Sequence, residues 1–81
     1  MVNRSEIMNK VAQIFRDVFD DKELVVNDNT CANDIDDWDS IEHINLVLAI
    51  EKEFSIKFDM NEIARLKSVG EIVRAIELKL Q

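Results

Sequence analysis

Three stretches of this sequence place apolar residues at helical spacing, which restricts the chain to a largely helical fold. The first stretch covers about residues 4–19, and Ser5 is expected to cap it. The apolar residues that share one face of its 3.6-residue repeat are Ile7, Val11, Ile14, Phe15 and Val18. Its opposite face is polar and is expected to lie in water.

The second stretch, about residues 40–54, begins at a helix-start signal. Asp39 is a good N-cap, and Glu42 stands three residues later, as in a capping box. His43 is expected on the surface, since no partner that would make it a base or a metal ligand is apparent. The residues predicted to face the core are Ile41, Ile44, Val47, Leu48 and Phe54, with Leu46 and Ile50 widening the stripe.

Two further helix starts follow a brief apolar alternation at residues 55–58, which we predict to be a packed connector. Asp59 and Glu62 have the cap-x-x-Glu form and open a short third helix of about two turns. Ser68 opens the last helix, in which Gly70 is tolerated. The apolar stripe of that helix is Val69, Ile72, Val73, Ile76 and Leu80.

These helices must bury their apolar faces against one another. Proline is absent and glycine occurs once, a composition typical of an all-helical globule. We therefore predict an all-α fold for residues 1–81 as a single domain. It should be a four-helix bundle with three longer helices, one short third helix and a long first loop.

The first loop, about residues 20–37, lacks helical periodicity. Its length of roughly 18 residues exceeds the ~12 to 15 at which structureless loops become uncommon, so packing of Val25 or Val26, Ile35 and Trp38 should pin it. Its acidic residues do not match a calcium loop, because the sixth position holds no glycine and the twelfth no glutamate. We predict no metal site.

The net charge of −7 argues against binding to nucleic acid or to an anionic membrane, and favours partners with basic patches. No apolar run approaches the ~20 residues needed to span a bilayer. Cys31 is alone, which precludes an internal disulfide and fits a reducing cytoplasm. We expect a cytoplasmic monomer.

Ser40 is the candidate functional residue, because it lies in the first turn of the second helix and should project into water. The unpaired N–H groups and the positive dipole end of such a turn suit a phosphate attached to the hydroxyl. Asp39, beside it, can help to position a Mg²⁺-bound phosphate donor, although capping explains Asp39 equally well. Helix-start chemistry alone leaves Ser40 open as an ordinary polar residue beside a cap.

The run from Asp39-Ser40-Ile41 to Phe54 resembles the Asp-Ser-Leu motif and second helix of acyl carrier proteins, and a weaker likeness covers about residues 7–80. The resemblance implies that Ser40 carries 4′-phosphopantetheine, added by a phosphopantetheinyl transferase. The terminal thiol of that group holds an acyl chain as a thioester.

The resemblance also implies that partner enzymes dock on the second helix, and the residues carried over to this surface are Ile41, Glu42, Asn45, Glu51 and Glu53. Many fatty-acid carriers have glutamates at the positions of Asn45 and Lys52, which suggests dedicated acyl-loading and acyl-processing enzymes. The short third helix should move most easily. We expect an acyl chain to enter between the second and third helices against Val47, Leu48, Phe54, Ile56 and Ile63.

No catalytic set is apparent, since the chain has neither a glycine-rich phosphate loop nor a plausible cysteine–histidine pair. The predicted function is an acyl carrier, not an enzyme, that presents thioesters to fatty-acid, polyketide or other dedicated biosynthesis. Two alternatives remain open at this point. One is an aminoacyl or peptidyl carrier, and the other is an acidic helical interaction module without a prosthetic group.

Overall fold

A computed structural model describes residues 3–80, which form four α-helices and one 3₁₀ turn. The elements in chain order are α1 (Arg4–Val18), the 3₁₀ turn (Ala32–Asp34), α2 (Ser40–Phe54), α3 (Met60–Arg65) and α4 (Val69–Leu80). The predicted four-helix bundle, with its short third helix and long first loop, is confirmed. None of the helices in this part of the chain is long and apolar enough to cross a membrane.

A single apolar core joins the helices, and α1 lies at its centre because it packs against both α2 and α4. Full burial of a large apolar side chain stabilises the folded state by about 1.5–3 kcal/mol. The helical side chains with almost no exposure are Ile7, Val11, Phe15, Leu46, Val47, Ile50, Val69, Ile72, Val73 and Ile76. All of them come from the three longer helices, so α3 depends on the others for its position.

The cap of α1 is Asn3, and the prediction of Ser5 is wrong. The Asn3 Oδ1 atom accepts a hydrogen bond from the Glu6 N–H at 2.9 Å, and Ser5 lies inside the first turn. Asparagine and serine are about equally good N-caps. The sequence therefore located the start of α1 to within two residues but did not identify the capping side chain.

Two apolar rows run along α2, and only one of them faces the core. Leu46 and Ile50 are buried, whereas Ile41, Ile44 and Leu48 are exposed. The predicted core positions of these last three residues are wrong. Both rows recur at spacings of three or four, so helical periodicity fits each of them and cannot show which one is covered.

The first loop is pinned to the helices mainly by its last residues. Ile35 and Trp38 are buried, as predicted, and Val26 is partly buried, while Val25 is 78% exposed. The Trp38 ring meets Phe15 edge-on, with 5.2 Å between the ring centroids. This contact fastens the segment before α2 to α1.

A second attachment joins the loop to the start of α4. The Val69 N–H donates to the Thr30 carbonyl at 2.8 Å, and the Gly70 N–H donates to the Asp28 carbonyl at 3.0 Å. A Cβ atom at position 70 would lie 2.8 Å from that Asp28 oxygen. Gly70 is therefore required by a close backbone approach, which no sequence pattern predicts.

We predict that Gly70→Ala destabilises the fold by about 1–3 kcal/mol, because the added methyl group forces the loop backbone away from α4. At an unconstrained helical site the same substitution stabilises by about 1 kcal/mol. Urea unfolding measures the difference. The matched control is Leu78→Ala, at an exposed position of α4, with an expected change within about 0.5 kcal/mol. A Gly70→Ala protein as stable as the parent would contradict the close approach.

The short helix α3 is held at its start by a reciprocal capping box, which confirms the sequence prediction. The Glu62 N–H donates to Asp59 Oδ1 at 2.8 Å, and the Asp59 N–H donates to Glu62 Oε1 at 3.0 Å. Lys79 of α4 lies 3.0 Å from Glu62 Oε2. The bond from the Asp59 N–H, followed by the Lys79 ammonium, lowers the pKa of Glu62.

This lowered pKa predicts that α3 loosens in acid. The ionised Glu62 carboxylate stabilises the folded state. This stabilisation is fully present above the pKa that Glu62 has in the unfolded chain, and it is lost as the pH falls through the lower pKa of the folded chain. A carboxyl carbon NMR titration should give a midpoint below the ordinary glutamate value. In Lys79→Gln that midpoint should move back upward. An unchanged midpoint in this variant would show that Lys79 plays no part.

Candidate functional site

The candidate site begins at Ser40, the first residue of α2, whose side chain is exposed. Asp39 caps the helix: its Oδ1 atom accepts from the Glu42 N–H at 2.9 Å, and its carbonyl accepts from the His43 N–H at 2.8 Å. The N–H groups of Ser40 and Ile41 precede this first intrahelical bond, so they have no partner within the helix. They give the helix start a partial positive charge.

The capping box expected at this helix forms only in part. The Glu42 side chain does not return to the Asp39 N–H but accepts from Asn45 Nδ2 at 2.7 Å. The Asp39 N–H donates instead to the Asp37 carbonyl at 3.0 Å. Glu42 and Asn45 thus form a pair on the surface of α2, close to Ser40.

An open groove of about 460 Å³ lies beside Ser40, between the end of the first loop, the start of α2 and the end of α3. Its lining combines buried apolar side chains with polar ones at the surface. The lining residues are Cys31, Ala32, Asn33, Trp38, Asp39, Ser40, His43, Ile63, Ala64, Leu66 and Lys67. Among the described residues that line the groove, Lys67 is the single lysine or arginine, and its side chain is exposed.

His43 lines this groove and is half-buried, so the prediction that it lies on the surface is wrong. The indole Nε1–H of Trp38 donates to His43 Nδ1 at 3.0 Å, and His43 Nε2 lies 2.9 Å from the Ile63 carbonyl oxygen. Since an indole N–H can only donate, Nδ1 must accept, and the ring proton on Nε2 is donated to Ile63. No sequence signal relates a histidine to a carbonyl twenty residues later, so sequence analysis could not find this contact.

The residues that the resemblance assigned to partner docking are only partly brought together. Ile41, 74% exposed, lies beside the Glu42–Asn45 pair. Glu51 lies apart, where its Oε2 atom accepts from the Phe58 N–H at 2.7 Å and holds the connector before α3. Glu53 pairs with Lys10 of α1 at 3.3 Å.

An exposed apolar row runs along α2, of which the resemblance assigned Ile41 to the docking surface, whereas Ile44 and Leu48 were expected in the core. Ile41, Ile44 and Leu48 are 74%, 42% and 56% exposed, although they lie on a helix of the core. Exposed apolar side chains that adjoin one another commonly mark an interaction site. The row begins next to Ser40, so it belongs to the candidate site.

The five residues expected to hold an acyl chain do not form one pocket. Ile63 lines the groove beside Ser40. Val47 and Ile56 are buried in the core, Phe54 is a half-buried residue at the end of α2, and Leu48 is exposed.

The chemistry available at the site is that of an accessible hydroxyl at a positively polarised helix end. Among residues 3–80, no three histidine, cysteine, aspartate or glutamate side chains are placed to hold a metal ion. The first-turn N–H groups, with Lys67 across the groove, suit a phosphate ester on Ser40. The exposed Ser40 side chain leaves room for a larger attached group.

Comparison with known proteins agrees with this geometry. Residues 9–76 match the family model described as a phosphopantetheine attachment site. The chain is 37% identical over 82 residues to an acyl carrier protein of Thermotoga maritima, with 99% of each chain covered. It is 34% identical over 80 residues to an acyl carrier protein of Thermosynechococcus vestitus, with 98% of each covered.

A solved structure is similar as well. The solution NMR structure of a holo acyl carrier protein from Geobacter metallireducens superimposes with a TM-score of 0.85. The two sequences are 42% identical, and the alignment covers 91% of this chain and 85% of the other. The likeness therefore extends over most of the helical fold.

Proposed function

Since this chain belongs to the acyl carrier protein family, whose members are carriers and not enzymes, we propose that it presents acyl thioesters to the enzymes of fatty-acid, polyketide or another dedicated biosynthesis. Its prosthetic group is 4′-phosphopantetheine, and we propose Ser40 as the attachment residue. When attached, this group supplies a flexible arm ending in the thiol that holds the acyl chain. The observation that carries the proposal is the exposed Ser40 hydroxyl at the start of α2, beside the groove.

Local electrostatics support a phosphodiester at Ser40. Such a group carries a negative charge, which the N–H groups of Ser40 and Ile41 and the positive end of α2 stabilise by about 0.3–1 kcal/mol at an exposed site. Lys67, in the lining of the same groove, adds a cation. Asp39 keeps its side chain bonded to the Glu42 N–H, so its carboxylate is held in the cap.

The attachment step needs an acceptor oxygen and a base. The Ser40 oxygen attacks the β-phosphorus of coenzyme A; a P–O bond to Ser40 forms, the P–O bond to adenosine 3′,5′-bisphosphate breaks, and the hydroxyl proton passes to a base. Within residues 3–80, neither a carboxylate nor an imidazole hydrogen-bonds to the Ser40 hydroxyl. We infer that the phosphopantetheinyl transferase supplies the base, while this chain supplies the exposed hydroxyl.

Partner enzymes are proposed to dock on the exposed face of α2. The apolar row of Ile41, Ile44 and Leu48 offers area to bury, and the Glu42–Asn45 pair beside it can meet polar or basic groups. A net charge of −7 favours partners with basic docking patches and speeds their approach at low salt. Asn45 and Lys52, where many fatty-acid carriers have glutamates, support partners that are specific to this carrier.

We predict that incubation with coenzyme A, Mg²⁺ and a broad-specificity phosphopantetheinyl transferase adds one phosphopantetheine to the protein. Ser40→Ala should gain nothing, because the acceptor oxygen is absent. Intact-mass analysis measures both outcomes. Ser5→Ala is the matched control, since Ser5 is also an exposed serine in the first turn of a helix.

The control should be modified as fully as the parent. No mass gain on the parent protein, with its helical circular dichroism intact, would overturn the proposal and favour an interaction module. A gain on Ser40→Ala would show that another residue is the acceptor.

A pair of substitutions at Asp39 separates capping from chemistry. Asp39→Ala should lower stability by about 1 kcal/mol in urea unfolding, whereas Asp39→Asn should retain it, because asparagine caps as well as aspartate. The rate of modification is then measured for both variants. If Asp39→Asn is stable but slow, the carboxylate helps to position the Mg²⁺-bound donor. If it is modified at the parental rate, Asp39 acts as a cap alone.

A further inference from the structure

One side chain joins the three segments around the groove. His43 lies on α2, accepts a hydrogen bond at Nδ1 from Trp38 at the end of the first loop, and donates from Nε2 to the Ile63 carbonyl in α3. The indole and imidazole rings are also stacked, with 5.9 Å between centroids. No step of the attachment reaction uses this imidazole, so its contacts need another explanation.

The six-residue helix α3 is the segment that most needs such a contact. A helix of this length is not stable alone, and none of its residues is fully buried. Its start is held by the capping box and by Lys79. At its other end, the Ile63 carbonyl accepts from the Leu66 N–H at 3.2 Å and from His43. The imidazole is thus the polar link between this end of α3 and α2.

We propose that His43 is a positioning residue that closes the space between α2 and α3 and so keeps cargo in the open groove beside Ser40. The part about cargo rests on the proposed carrier function, whereas the link itself does not. With the link intact, only the groove is available to an acyl chain. With the link broken, α3 moves away and the interior becomes accessible.

The order of residues along α2 supports this role. Ser40, His43 and Val47 follow at spacings of three and four, which places them on one face of the helix. Ser40 is exposed, His43 is half-buried in the groove wall, and Val47 is 1% exposed. A chain that extends from Ser40 towards the core along this face must pass the imidazole, and to do so it must break the bond to the Ile63 carbonyl.

The link also requires a neutral imidazole. A proton on Nδ1 would face the Trp38 N–H, so that bond would be lost and a buried indole would be left without its acceptor. The Trp38 ring itself is packed against Phe15 and Phe19 of α1.

Three substitutions separate the two bonds in the apo protein. Gln places a donor near the position of Nε2, Asn places an acceptor near that of Nδ1, and Ala has neither. His43→Ala should speed hydrogen exchange at the Ile63 and Leu66 amides by about five-fold. His43→Gln should restore their protection, and His43→Asn should not.

The indole N–H of Trp38 gives the second readout. Its NMR signal should keep its hydrogen-bonded shift in His43→Asn and lose it in His43→Gln. Equal exchange in the parent and in His43→Ala, or identical behaviour of the Gln and Asn variants, would overturn the link.

The cargo part is tested by loading octanoyl-phosphopantetheine onto each protein from octanoyl-coenzyme A. In the parent, shift changes should stay with the groove residues, and in His43→Ala they should spread to Val47 and Ile56. Changes at Val47 of the same size in both proteins would overturn the role of His43. A failure to load would instead contradict the carrier function, while the exchange data on the apo protein would still decide whether the link exists.

Discussion

The buried Trp38 ring is the contact on which the site depends. Burial of an aromatic side chain removes roughly 150–250 Å² of its surface from water. Trp38 is buried by packing against Phe15 and Phe19 of α1. Its only polar atom then requires a partner, which His43 provides. Asp39 and Ser40 follow Trp38 directly in the chain, so the position of the hydroxyl is set by a hydrophobic contact with a different helix. The Asp39 cap sets the direction in which α2 begins, and the packing of Trp38 sets the position of its first turn.

The sequence predicted those features that are local. Asp39 as the cap of α2, the Asp59–Glu62 capping box and the stripe of α4 each depend on residues a few positions apart. All three were found, except that Leu80, the last residue of the predicted stripe, is exposed. The features that were missed depend on contacts between distant segments. The link from His43 to Ile63 is of this kind, and so is the need for glycine at position 70, which arises from the Asp28 carbonyl. Neither leaves a periodic or compositional signal.

The error on α2 has a different origin and is informative about function. A carrier helix has two tasks, to hold the core and to meet partners, and both call for apolar side chains. Leu46 and Ile50 perform the first, whereas Ile41, Ile44 and Leu48 are exposed, as the proposed docking surface requires. A helix that is apolar on two faces has no single stripe, so pattern analysis merges the rows. The merged pattern was itself a sign that α2 has more than one surface to cover.

The backbone bonds from residues 69 and 70 to the carbonyls of residues 30 and 28 also bear on how the protein is made. They connect the loop before α2 to a segment that is translated about forty residues later. These bonds can form only after both segments have been synthesised. A nascent chain that ends before α4 already contains Ser40 but lacks these bonds and the core that α4 completes. Ordering of the loop therefore has to await the synthesis of α4, which separates the translation of Ser40 from the assembly of its surroundings.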